Sequence, residues 1–499
     1  MSSQPLVKLV HPNLGLCELV RIEATDWIVR VESTGVQYRV RTERRSQFTV
    51  CETAPEIQYE LQLTAPEPSS TNHENRTPPR CVTDRAESSP QASSANGFIT
   101  RRHARRTIES LRVGLPSFDG STRQLAVGFG EMNRLVADFL RNVDEEGGAA
   151  MIVRGAYGQG KTFSLTMLEE VAHESGFITI RTEVDATENR LSMPHHVYRD
   201  LMKHLRIPGQ SESGIRHLAA KAIEFVNREG WGRQDQRENW LQQRLECAPL
   251  AWLLSDPMFL QKPALVGLLE GDPNYPVKRA RLSHCRPPAP RRWPAFSAGT
   301  QGDFASYLMS GLGRLARMLG YKGLVVIMDE MEKWNLLNWV EQSRAGNLLG
   351  GLIWGATAKL GSRDKHDNPR VLSHSYRCGG YPFTTLSRCH LGVVIAMTPR
   401  EHDDPERIWA QYGPIDVGIL PSLTEFRLAE YCKLVVPFVA RAYSLDHPND
   451  KMLEQISLQA IEMWRLSGQM TTRSGVQSVI AAFDNWRDEQ VGAENEENV

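Results

Sequence analysis

The chain is 499 residues long, with 58 Lys and Arg against 59 Asp and Glu, a formal net charge of −1, 41% hydrophobic residues and 8 Cys. At roughly 150 residues per domain this length predicts about three folded units, and the balanced charge excludes a histone-like polycation, so any nucleic-acid contact must come from local patches. No run approaches the roughly 20 apolar residues that cross a bilayer, the opening MSSQPLVKLV lacks a signal-peptide layout, and the scattered cysteines form no C-x-x-C pair and read as reduced thiols of a cytoplasmic protein.

Residues 1–63 carry a β pattern. Apolar and polar residues alternate in Trp27-Ile28-Val29-Arg30-Val31 and in Val36-Gln37-Tyr38-Arg39-Val40, with Ser33-Thr34-Gly35 as the turn between them. With the preceding HPNLGLCELVRIEATD, this segment resembles the small Tudor-like β-barrels appended to many nucleic-acid enzymes. A β-hairpin domain serving as a protein-interaction module fits the same pattern. Residues 64–105 are expected to be a flexible linker, because Pro66, Pro68, Pro78, Pro79 and Pro90 among Ser, Thr, Asn and Glu offer too little apolar surface to offset ordering. The linker runs into Arg101-Arg102-His103-Ala104-Arg105-Arg106, read either as a solvated helix start or as a phosphate contact.

From 106 to 420 strands alternate with helices. Apolar runs predict strands over 149–154, 177–184, 323–329 and 392–397, of the kind buried on both faces of a parallel sheet. Helices are expected over 131–143, 161–173 and 195–205. The stretch 207–300 is less regular and is expected to be an insertion. Its basic residues Lys278, Arg279, Arg281, Arg286, Arg291 and Arg292 beside Trp293 could stack on and neutralise a nucleic acid, or form a solvated basic loop. Helical patterns over 424–443, 451–466 and 473–486 predict a lid spanning 421–487, followed by an acidic, frayed tail over 488–499. The fold class is therefore α/β: a mostly parallel sheet flanked by helices, with a C-terminal α-helical lid and a small N-terminal β-barrel-like domain.

The strongest motif is Gly155-Ala156-Tyr157-Gly158-Gln159-Gly160-Lys161-Thr162, which matches G-x-x-x-x-G-K-[ST] between an apolar strand and a helix. Its glycines let backbone N–H groups turn onto phosphates, and the helix N-terminus adds its positive dipole end. Lys161 is expected to reach the β- and γ-phosphates, and the Thr162 hydroxyl to hold Mg²⁺. Together with Phe163 these are the candidate nucleotide-binding residues. A second apolar strand ends in Asp329-Glu330: Asp329 suits the second Mg²⁺ contact and Glu330 the polarising of an attacking water. A third ends in Thr398, which suits the γ-phosphate or that water, or simply opens the turn at Pro399. Arg473 in Thr471-Thr472-Arg473-Ser474-Gly475 begins a helix and suits a cation brought onto the nucleotide by the lid. The candidate catalytic set is Glu330, Lys161, Thr398 and Arg473.

In this order the four elements resemble the AAA+ ATPases: phosphate loop, acid-pair strand, polar sensor strand and helical lid with an arginine. The segments RRTIESLRVGLPSFDGSTRQLAVGFGEMNRLVADFL and MIVRGAYGQGKTFSLTMLEEVAHESGFITIRTEVDATENRLSMPHHVYRDLM are similar to the ATP-binding proteins of bacterial BREX-type phage-defence systems (BrxD-like), placed among the initiator-like AAA+ proteins. The resemblance covers 106–205, the acid-pair strand and 392–486, whereas the N-terminal segment and 361–390 depart from it. It implies ATP and Mg²⁺, a homo-oligomer or hetero-complex, and a DNA or helicase or nuclease partner. The function it implies is ATP hydrolysis that switches or loads a DNA-processing complex. The alternative is an ATP-gated scaffold with little turnover that recruits such a partner. In AAA+ proteins a neighbouring subunit's arginine usually completes the site, and Arg377, Arg388 and Arg400 flank the sensor strand without a recognisable motif. His374, Cys378, Cys389 and His390 fall together, as zinc ligands or, more simply, as loop residues. His195-His196 reads as a cap or surface pair.

Overall fold

The structure, a computed structural model, describes residues 101–113, 125–185, 190–230, 232–272, 301–357, 384–385, 388–399, 405–443, 445 and 449–497, together with the backbone of five strands between 7 and 52. The chain divides into two units, Met1–Gly97 and Phe98–Val499.

In the first unit, β1 (Val7–His11), β2 (Gly15–Glu23), β3 (Asp26–Val31), β4 (Gln37–Val40) and β5 (Thr49–Glu52) form an antiparallel sheet in the order β4-β3-β2-β1-β5. β3 and β4 pair with Trp27 opposite Val40 and Val29 opposite Tyr38, as the alternating sequence predicts. The expected linker over 64–100 lies outside the described residues.

The second unit is built on a parallel sheet of β6 (Gly148–Arg154), β7 (Ile178–Glu183), β8 (Leu324–Asp329), β9 (Leu391–Met397) and β10 (Asp416–Ile419), in the order β10-β6-β9-β8-β7. Its first four strands are the four apolar runs. Every residue of β8 and β9 is buried, which is why they read as unbroken Val/Ile/Leu stretches rather than as alternation. β10 was not expected from the sequence. It is a short edge strand of which only Gly418 is buried, so it carries no apolar run.

One face of the sheet packs on α2 (Gly130–Glu145) and α3 (Lys161–Glu174), with Phe139, Leu165 and Phe177 at the centre. The other face carries the largest core. It includes α4 (Pro194–Lys203), α5 (Ile215–Arg228), α6 (Gln234–Leu245), α7 (Ala248–Ser255), α8 (Pro263–Glu270), α9 (Gln301–Met318) and α10 (Trp339–Thr357). The irregularity expected over 207–300 is thus corrected for 215–270, which is helical and contributes to the main core. Its basic stretch over 278–293 lies outside the described residues. The sheet and α10 meet closely: a Cβ on Gly148 would stand 2.1 Å from the Ala356 carbonyl oxygen, so only glycine fits there.

A separate core joins α12 (Glu425–Tyr443), α13 (Asp450–Leu466) and α14 (Thr472–Glu497) to α1 (Arg101–Arg112), through Ala104, Ile108 and Leu111 of α1 and Phe438, Trp464 and Phe483 of the lid. Two expectations change here. Residues 101–105, bounded with the linker, do begin a helix, as the helix-start reading of the basic run expects, but one packed into the lid bundle rather than solvated, and Arg105 donates to the Ala442 carbonyl at 3.1 Å. The tail expected to fray from 488 continues α14 to Glu497. The short α11 (Pro405–Ala410) buries Trp409 against Trp334. Among the described residues no helix is long and apolar enough to cross a membrane.

Candidate nucleotide site

The loop between β6 and α3 leaves the sheet at its C-terminal edge, where the Gly155 N–H donates to the Met397 carbonyl at 3.3 Å. Gly158 (φ 73°) and Gly160 (φ 96°) take the left-handed backbone that glycine alone adopts without strain. Gly160 caps α3, so the helix N-terminus opens onto the loop. Lys161 is buried, and its Nζ donates to the Gly155 carbonyl at 3.1 Å and to Thr398 Oγ1 at 2.7 Å. Thr398 follows β9, which lies between β6 and β8, and the topology thereby sets it between the loop and the acid pair.

Thr162 Oγ1 donates to Asp329 Oδ2 at 3.2 Å, joining residues 167 apart in the chain. The same carboxylate oxygen accepts from Arg181 Nη2 at 3.1 Å, while Oδ1 accepts the Glu330 N–H at 2.9 Å. A hydroxyl and a carboxylate converging at the helix N-terminus are hard oxygen ligands of the kind Mg²⁺ takes together with substrate phosphates, so these residues fit that ion. Among the described residues no group of three His, Cys, Asp or Glu is arranged to hold a metal by itself.

Glu330 stands in a left-handed backbone conformation, φ 61°, a strain of order 1–3 kcal/mol for a non-glycine residue. Burial, with the neighbouring Glu332 carboxylate adding to it, pushes its carboxyl above the usual range, against the ammonium of Lys333 at 3.9 Å. Glu332 shifts the other way. Burial alone would raise it, but it accepts the Thr398 hydroxyl at 2.7 Å and the Thr398 N–H at 3.2 Å, and with the charge of Lys161 these contacts hold it below the ordinary value.

The lid touches the loop directly. The Arg473 N–H donates to the Gly158 carbonyl at 2.9 Å, and Gln159 Nε2 donates to Ser422 Oγ at 2.9 Å. The Arg473 guanidinium lies 5.7 Å from the centroid of the Tyr157 ring. Between lid and loop is a cavity with Lys161, Thr162, Glu330 and Arg473 on its polar side and Leu111, Val127, Phe129, Phe163, Leu428 and Val476 on its apolar side. The Phe129 and Phe163 rings are 5.5 Å apart.

The expected residues Gly155, Ala156, Tyr157, Gly158, Gln159, Gly160, Lys161, Thr162, Phe163, Asp329, Glu330, Thr398 and Arg473 therefore converge on one edge of the sheet. Sequence reasoning missed Arg181 and Glu332, which stand in no motif, and most of the apolar wall, to which Leu111 of α1, Val127 and Phe129 before α2, and Leu428 and Val476 of the lid contribute from distant parts of the unit. Of the other candidates, Arg388 is committed to the Glu145 carbonyl at 2.6 Å. Cys389 is buried against the hydroxyls of Thr384 and Thr385, both at 3.2 Å, and His390 Nδ1 lies 3.2 Å from the Val143 carbonyl. The His195 and His196 rings meet edge to face at 4.1 Å. Arg377, Arg400, His374 and Cys378 lie outside the described residues.

No curated protein matches the chain. Residues 99–246, which hold α1, the loop and β7, match the family described as BREX system ATP-binding protein BrxC/D. Over that stretch the chain is similar to the BREX system ATP-binding proteins, the resemblance that the segments on either side of the phosphate loop carry.

Proposed function

We propose that this protein is a AAA+ ATPase that binds ATP with Mg²⁺ between sheet and lid, hydrolyses it, and uses the cycle to switch or load a DNA-processing complex in antiphage defence. The observation that carries this reading is that Lys161, Thr162, Glu330 and Arg473 line one cavity, with Asp329 and Thr398 hydrogen-bonded directly behind Thr162 and Lys161. The loop N–H groups and Lys161 would bind the phosphates, and the apolar wall with Phe129 and Phe163 would take the base. Thr162 and Asp329 would hold Mg²⁺, which when bound neutralises phosphate charge. Glu330 would orient the attacking water and accept its proton, Thr398 would hydrogen-bond the γ-phosphate, and Arg473 would report phosphate charge to the lid. In the same reading the N-terminal unit is a Tudor-like domain and the partner is a helicase, a nuclease or DNA itself, engaged by a homo-oligomer or hetero-complex.

The test is steady-state ATPase activity with and without single- and double-stranded DNA at two salt concentrations. Lys161→Ala should abolish nucleotide binding. Glu330→Gln should keep ATP bound and slow turnover about 10²-fold or more. Turnover of that variant at the wild-type rate would remove Glu330 from the role. The scaffold alternative predicts tight ATP binding with a flat, near-zero rate under every condition. The Glu330–Lys333 pair favours it, because a glutamate held toward an ammonium is less free to act on water.

A further inference from the structure

We propose that Glu332 is an internal stand-in for the γ-phosphate, displaced from Thr398 by ATP but not by ADP. The inference rests on the ATP reading above. The Glu332 carboxylate accepts both donors that Thr398 possesses, the hydroxyl at 2.7 Å and the backbone N–H at 3.2 Å. Lys161 Nζ in turn donates to Thr398 Oγ1 at 2.7 Å. An anion thus already sits against the sensor threonine and close to the phosphate-loop cation. A threonine hydroxyl carries a single proton, so it donates either to Glu332 or to a phosphate oxygen. Two anions on Lys161 and Thr398 would also repel each other at short range in a part-buried site. A nucleotide ending at the β-phosphate makes no such demand on Thr398.

Displacement has a mechanical consequence. Glu332 lies in a 3-10 turn, Met331–Leu336, immediately after the acid pair. Lys333 Nζ ties the turn to the Val184 carbonyl at 2.6 Å, and Trp334 is buried against Trp409. Its far end carries Leu336, 68% exposed, and three residues on stands Trp339, 77% exposed, at the start of α10. Releasing Glu332 frees the first turn of a segment that ends in exposed apolar side chains. The γ-phosphate is thereby read out on the surface through a residue outside the motif.

The experiment measures, on the full chain with Mg²⁺, dissociation constants for ADP and for a non-hydrolysable ATP analogue in wild type, Glu332→Ala and Glu332→Gln. ADP affinity is expected to stay within about twofold, while the analogue tightens about tenfold in Glu332→Ala and by less in Glu332→Gln. Amide exchange over 331–339 is expected to differ between ADP and analogue in wild type and to lose that difference in Glu332→Ala. An analogue affinity unchanged or weakened while ADP binding holds would overturn the proposal. If Glu332→Ala no longer binds ADP, the same ratio in Glu332→Gln decides. Wild-type protein that binds neither nucleotide would instead overturn the ATP reading itself.

Discussion

Arg181 bridges two buried carboxylates, and that fact governs the chemistry around it more than its place on an ordinary strand suggests. Nη2 meets Asp329 at 3.1 Å, Nη1 lies 4.0 Å from Glu169, and both acids are under 5% exposed. Glu169 also takes Arg206 at 3.2 Å and the Thr179 hydroxyl at 3.2 Å, and Thr179 in turn meets His173 at 2.6 Å. Arg181→Ala leaves Glu169 with Arg206 but strips the buried Asp329 of its cationic partner, so it is expected to lower unfolding free energy by about 3–5 kcal/mol. Arg181→Lys should recover only part, because an ammonium cannot span both acids as a fork does. Urea denaturation checks this, and a loss below about 1 kcal/mol would show the bridge to be dispensable. His173 supplies a pH dependence. Burial depresses its pKa below 6.5, with Arg206 acting the same way and Glu169 opposing. It takes a proton less readily when folded than when unfolded, so its contribution is present above about pH 6.5 and lost as pH falls further. The thermal midpoint should therefore drop between pH 7 and 5.5, and less steeply in His173→Gln. None of these couplings was legible in the sequence, because Arg181, Glu169 and Asp329 meet only once β7, α3 and β8 are assembled. The loop residues were legible, because their spacing is itself the geometry.

At the level of elements, legibility followed burial. β6, β8 and β9 are covered on both faces and announce themselves as apolar runs, whereas β10 exposes most of its residues and left no such trace. The helices over 215–270 failed to register for different reasons. α7 is apolar all round, with Leu250, Ala251, Trp252, Leu253 and Leu254 all buried, so it shows no periodic polar face. α6 is the reverse, polar along most of its length and anchored by Trp240, Leu241 and Leu245. The lid helices, with one buried face each, were found within a residue or two at most of their ends. Close packing between elements also escapes a linear reading. The Ala356 carbonyl occupies the space of a Cβ on Gly148, so Gly148→Ala must push α10 away from β6. Such overpacking is expected to cost about 1–3 kcal/mol. Gly160→Ala meets nothing within 4 Å, so the loop can shift to relieve part of a backbone strain of about 1–3 kcal/mol; it should lose less stability than Gly148→Ala and, with the loop conformation gone, more nucleotide affinity. Parallel melting curves and ADP titrations separate the two: the reverse pattern would mean that the loop, not the sheet contact, limits the fold.

For the whole molecule, the boundary that matters lies before α1, at the division between Gly97 and Phe98, rather than at residue 106. The first five residues of α1 look like the basic end of a linker, since four of them are Arg or His. Yet Ala104, Ile108 and Leu111 are buried in the lid core, and Arg112 meets Asp484 of α14 at 2.7 Å. Leu111 also lines the cavity opposite the phosphate loop. One helix thus closes the lid bundle and adds to the apolar side of the cavity beside the phosphate loop, although more than 300 residues of chain separate it from the lid helices. Two truncations test this. A chain beginning at residue 98 keeps all these contacts and should bind ADP as the full protein does. A chain beginning at residue 114 loses the buried Ala104, Ile108 and Leu111, and cutting a buried Ile or Leu back to alanine alone costs about 2–5 kcal/mol, so the two larger side chains together are enough to unfold a bundle of ordinary stability. That chain should expose the lid to proteolysis and bind ADP weakly, even though every residue from Gly155 to Phe163 is intact. Equal ADP affinity in both truncations would show that the loop binds nucleotide without the lid, and the apolar wall would then have no part in holding the base.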